Sequence, residues 1–97
     1  MDRKSNIRLH ATIHGRVQGV SFRYFVLECA NRLDLSGWVR NRYDGTVEVL
    51  AEGNQKQLDI LIQDLHKGSS ASNVTRVDHQ WDDATGEFKS FRIRMTA

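Results

Sequence analysis

Two glycines and two arginines stand together in Gly15-Arg16-Val17-Gln18-Gly19-Val20-Ser21-Phe22-Arg23. Before this stretch Ile7, Leu9, Ala11 and Ile13 alternate with Arg8, His10, Thr12 and His14, the period of a strand with one buried face. After it Phe22, Phe25, Val26, Cys29, Ala30 and Leu33 recur at three- and four-residue steps, one stripe of a helix. The stretch therefore reads as a strand-to-helix loop, with Ser21 as the expected N-cap. Glycines let such a loop turn tightly at positive φ. A loop turning into a helix start gathers free N–H groups, and the helix dipole adds positive potential, so the place suits an anion and phosphate above all. Arg23 falls off the apolar stripe in the first helical turn, where a guanidinium can close over the same anion through two parallel hydrogen bonds. The plainer reading is a chain reversal followed by a solvated arginine. The loop lacks the Lys-Ser/Thr ending of a P-loop and the spacing of the dinucleotide fingerprint, so it points to a phosphate and not to a nucleotide.

A second candidate comes from strand register. Trp38–Arg42 and Thr46–Glu52 read as a hairpin around Tyr43-Asp44-Gly45. A three-residue loop with Gly45 in the left-handed region pairs Val39 with Val49 and Asn41 with Val47 on one face. On the other it pairs Trp38 with Leu50, Arg40 with Glu48 and Arg42 with Thr46, so apolar residues meet and opposite charges meet. A two-residue turn mixes polar and apolar residues on both faces. The preferred register leaves Asn41 alone among valines. Either its amide bonds to the turn, or it is aimed into a site, where an amide's donor and acceptor can hold a water in one orientation.

The elements that must carry these residues follow from the rest of the chain. Asn54 with Gln57 resembles a capping box; Leu58, Leu61, Ile62 and Leu65 form a second helical stripe; Gly68 ends it. Gly68–Asn73 is a connector, Val77, His79 and Trp81 alternate in a strand, Asp82–Lys89 is a polar loop, and Phe91, Ile93 and Met95 alternate in a last strand. The order β-α-β-β-α-β, plus a short C-terminal strand, is that of an α+β ferredoxin-like split βαβ sandwich. An antiparallel sheet would carry both helices on one face, with the first and third strands central.

Ninety-seven residues suit one domain, 1–97, with Met1–Asn6 a loose terminus. A net charge of +2 is far from that of a dedicated nucleic-acid binder, and the third strand offers no aromatic ring for stacking on RNA. One cysteine allows no intramolecular disulfide, and Cys29 lies on the apolar stripe, so it reads as a packed thiol in a cytoplasmic protein. His10, His14, His66 and His79 are scattered without metal-ligand spacing. No run reaches transmembrane length.

The loop Gly15-Arg16-Val17-Gln18-Gly19-Val20 with Phe22-Arg23 resembles the signature of the acylphosphatase family. So do Gly37-Trp38-Val39-Arg40-Asn41, then Asp44-Gly45, Val47-Glu48-Val49 and Gly53, and the ending Phe91-Arg92-Ile93-Arg94. The resemblance runs from about Ile7 to Arg94. It implies hydrolysis of an acyl phosphate to a carboxylate and inorganic phosphate, with the phosphate also a competitive inhibitor. The family's phosphate-binding arginine maps onto Arg23 and its water-orienting asparagine onto Asn41. The backbone N–H groups of Arg16, Val17, Gln18, Gly19 and Val20 would complete the cradle. No metal, no cofactor, no nucleic-acid or membrane partner and a monomeric state are expected. The chain departs from the family in having Ser69-Ser70-Ala71-Ser72 where prolines are frequent. The nearest rival is a related domain that handles carbamoyl phosphate inside a larger maturation protein, and a phosphate-binding domain without turnover is another.

Overall fold

In the computed structural model, residues 6–97 are described, so the expected loose terminus lies outside them except for Asn6, which begins the first strand. The elements are β1 (Asn6–Arg16), α1 (Phe22–Arg32), β2 (Ser36–Asn41), β3 (Val47–Asn54), α2 (Gln55–Lys67), β4 (Asn73–Asp83) and β5 (Phe91–Ile93). The alternation in β1 sends Leu9, Ala11 and Ile13 to one side, where they meet Val39, Val47, Val49 and Ala51. The two helical stripes cover that side: Phe22, Val26, Cys29 and Ala30 from α1, and Leu58, Leu61 and Leu65 from α2, are all buried. At roughly 25 cal/mol per Å² of apolar surface removed from water, this single core carries most of the stabilisation.

The strand order is β4-β1-β3-β2-β5, with β1 and β3 central as the right-handed crossovers require. The four longer strands pair antiparallel, whereas β5 joins β2 in parallel, so the sheet is mixed. The hairpin has the expected register: Trp38 faces Leu50, Val39 faces Val49, Arg40 faces Glu48 and Asn41 faces Val47. Its loop closes as a bulged three-residue turn. Arg42 N–H donates to Thr46 O at 2.9 Å, Gly45 takes φ +95°, and the Asp44 carboxylate accepts from both Thr46 N–H and Thr46 Oγ1.

Helix ends follow the sequence in one case and depart from it in the other. Asn54 caps α2, its side-chain oxygen accepting from Gln57 N–H at 3.1 Å. Ser21 occupies the N-cap position of α1 but makes no side-chain cap, because its φ of 61° lies in the left-handed region and not in the extended region capping needs. The expectation that the Ser21 hydroxyl caps the helix is therefore corrected. Asp34, at φ 59°, ends α1 in the left-handed turn usually given to glycine, and Leu35 N–H reaches back to Ala30 O at 2.9 Å.

The face of the sheet away from the helices is polar and cross-linked. Glu48 accepts from His10 Nε2 at 2.6 Å, Arg40 Nε at 2.8 Å and Arg42 at 3.0 Å. Glu52 accepts from Arg8 Nε and from the backbone N–H groups of Thr85 and Gly86. The guanidinium groups of Arg40 and Arg94 lie over the Trp38 ring, 4.6 and 5.1 Å from its centre, a cation–π arrangement. Among the described residues no helix is long and apolar enough to cross a membrane.

Candidate active site

A cleft of about 440 Å³ opens where the loop after β1, the first turn of α1 and the end of β2 converge. Gly15 sets its geometry. The β1–β4 register slips between His14 and Gly15, Gly15 takes φ +119°, and a Cβ there would overlap the Asn73 carbonyl oxygen. The bulge turns the chain so that Val17 is buried under the loop. Gly19 at φ 73° and Ser21 at φ 61° then curl the backbone, and left-handed residues so placed make a concave row of N–H groups. Among the described residues no backbone carbonyl accepts a hydrogen bond from the N–H groups of Gln18, Gly19, Val20 or Ser21. Unspent donors at the head of a helix are what an anion requires.

Both sequence-derived side chains reach this cleft. Arg23, in the first turn of α1, and Asn41, the last residue of β2, line it together with Val17, Gly19, Ser21, Phe22, Tyr24 and Ile93. Arg23 makes no ion pair among the described residues. Asn41 keeps to the row of Val39, Val47 and Val49, as the register requires, and its Oδ1 is buried without a hydrogen-bond partner. A buried acceptor left unpaired costs about 1–3 kcal/mol, so the orphaned oxygen marks a place where another group belongs.

The remaining loop residues divide. Arg16 is not in the loop proper: it is the final residue of β1, opposite Asn73. Val20 faces a neighbouring hollow and not the main cleft. Gln18 has a task the sequence does not reveal: its amide nitrogen donates to Arg42 O at 2.7 Å and to Thr46 O at 2.9 Å, tying the loop to the turn of the β2–β3 hairpin. That hairpin carries Asn41, so one side chain fixes the loop against the strand. Tyr24 and Ile93 were also missed. Tyr24 adjoins Arg23 in sequence and could have been suspected, whereas Ile93 reaches the cleft only because β5 docks beside β2.

Other titratable groups serve the frame. Burial works against ionisation of Glu48, but the hydrogen bonds from His10, Arg40 and Arg42 outweigh it and hold the carboxyl at about 2. Burial, followed by the Asp64 charge, pushes the Cys29 thiol up, which makes it a poor nucleophile in keeping with a packed thiol. His14 bonds Asp78 at 3.1 Å on the polar face and does not line the cleft.

The Acylphosphatase family profile matches residues 9–93. An acylphosphatase of Salinibacter ruber is 46% identical over 94 residues, covering 97% of this chain and 99% of that protein. The crystal structure of the acylphosphatase from Bacillus subtilis superposes with a TM-score of 0.88 at 39% identity, covering 91% of this chain and 98% of that one. Full-length HypF in its phosphate- and nucleotide-bound form contains a region that matches with a TM-score of 0.85 at 27% identity, covering 94% of this chain but 12% of HypF.

Proposed function

The chain belongs to the acylphosphatase family and is an enzyme of acyl phosphate hydrolysis, and we propose that Arg23 and the loop backbone over residues 17–20, with Arg16 left in β1, bind the phosphoryl group while Asn41 orients the attacking water. The observation that carries this reading is that Asn41, whose Oδ1 is buried and unpartnered, lines the same cleft as Arg23 and Gly19. An acceptor oxygen takes one O–H of a water and thereby turns a lone pair toward phosphorus. Arg23 and the unspent N–H groups neutralise the equatorial oxygens, which carry the charge in a loose phosphoryl-transfer transition state.

The water oxygen bonds to phosphorus as the bond from phosphorus to the acyl oxygen breaks, and the acyl group departs as a carboxylate. Its conjugate acid has a pKa of about 4, so it leaves without being protonated by the enzyme. The proton lost by the water passes to a phosphate oxygen, so no side-chain base is called for. The work left to the protein is holding, charge neutralisation and alignment, which a cradle, an arginine and an asparagine supply.

The test is phosphate release from benzoyl phosphate with EDTA present, for wild type, Arg23→Ala and Asn41→Ala. Removing one aligned charge-stabilising donor costs about 100–1000-fold in rate, and at least that is expected for Arg23→Ala in kcat/KM. Asn41→Ala should lose kcat to a similar extent while inhibition by inorganic phosphate changes little. Near-normal turnover by Arg23→Ala would falsify its assignment. Phosphate inhibition that depends on Arg23, without wild-type turnover, would instead describe a binding domain.

A further inference from the structure

A second hollow of about 510 Å³ lies beside the cleft, between α1 and the turn that follows α2. Building on the proposed roles of Arg23 and Asn41, we propose that this hollow is the acyl-group subsite, and that Glu28 makes it discriminate against acyl groups bearing a negative charge. Ser21 and Tyr24 line both hollows, so the two are neighbours, yet neither Arg23 nor Asn41 lines the second. That division matters because attacking and leaving oxygens lie roughly in line across phosphorus. With water held at Asn41, the acyl group must leave on the side of the phosphoryl group away from that residue. The hollow beyond Val20 and Ser21, which Asn41 does not line, is assigned to that side, and its size lies within the range of about 300–1,000 Å³ typical of small-molecule sites.

Its walls state what it accepts. Tyr24 and Phe25 give aromatic surface, and Ala71 closes the far side. Ser69 also stands in the wall, with its Oγ buried and without a hydrogen-bond partner. The far side is fixed: Ser72 donates to Ser69 O from both its N–H, at 3.1 Å, and its Oγ, at 2.8 Å. Glu28 lines the hollow and pairs with no cation among the described residues. A carboxylate there repels a second carboxylate on the substrate. Aromatic and neutral acyl phosphates are thus favoured over those made from dicarboxylic acids.

The test compares kcat/KM for benzoyl, acetyl and succinyl phosphates in wild type, Ala71→Trp and Glu28→Lys, with inhibition by inorganic phosphate measured alongside. Both substituted residues are exposed, so the fold should persist. Filling the hollow in Ala71→Trp should lower the benzoyl-to-acetyl ratio about 10-fold or more, the scale on which an apolar pocket discriminates size. Reversing the charge in Glu28→Lys should raise the succinyl-to-acetyl ratio about 3–10-fold at low ionic strength, a gain that fades with added salt. If both ratios stay at their wild-type values while phosphate inhibits as before, the acyl group lies elsewhere and the subsite is wrong, although the roles of Arg23 and Asn41 stand. If wild type hydrolyses none of the three substrates, the hydrolytic reading falls and the subsite falls with it.

Discussion

Replacing Glu48 by glutamine tests how the polar face supports the site. The carboxyl is held at about 2, against an ordinary value of 4.5, by His10, Arg40 and Arg42. A pKa lower in the folded state makes folding more favourable above 4.5, and that stabilisation disappears as the pH falls from 4.5 toward 2. The drop of about 2.5 corresponds, at about 1.4 kcal/mol per tenfold change in proton binding, to about 3–4 kcal/mol. The side chains of Arg40 and Arg42 are 25% and 40% exposed, so solvent screening brings the expected figure nearer about 2 kcal/mol. The assay is urea unfolding of wild type and Glu48→Gln from pH 7 to pH 2.5. The variant should be less stable by about 2 kcal/mol at neutral pH, and most of that difference should vanish by pH 2.5. A difference that stays constant across this range would refute the reasoning, since it would mean that ionisation of Glu48 contributes nothing.

Gln18→Ala removes both bonds that tie the loop to the hairpin; a loss of about 1–2 kcal/mol is expected in urea unfolding. Its inhibition constant for inorganic phosphate should rise, and an unchanged constant would show that the tether does not shape the cradle. Gly15→Ala sets a Cβ against the Asn73 carbonyl and should cost about 3 kcal/mol or more, together with activity. Gly45→Ala has open space but keeps φ +95°, so about 1 kcal/mol is expected, and equal costs at the two sites would contradict the steric account.

Local chemistry made much of this fold legible. Alternation and helical spacing are short-range patterns, and they yielded the two helices, the hairpin register and the Asn54 cap. The isolation of Asn41 among valines was visible because register alone decides which face a residue takes. What stayed hidden depends on distant partners or on unusual backbone. Gln18 bonds to residues 24 and 28 positions away, so nothing near it in sequence reports the contact. Serine at a helix start normally reads as a cap, and only the curl of the loop forces Ser21 into the left-handed region. The parallel pairing of β5 escapes pattern reading because three residues give too little alternation to fix direction. Glu48 and Arg40 were paired correctly across the hairpin, but the contribution of His10 comes from the neighbouring strand.

Helix α2 lends no side chain to either hollow: Leu58, Leu61 and Leu65 face the core, and Ile60 is exposed on its outer side. The fold therefore gives α1 both chemistry and a share of the core, and leaves α2 to cohesion alone. Natural proteins sit only slightly above the stability they need, so most changes near a working site must be compensated somewhere. Here α2 is that place. Substitutions along its outer surface can restore lost stability without touching loop, arginine or amide, which leaves the cleft and its neighbour free to diverge toward other acyl groups.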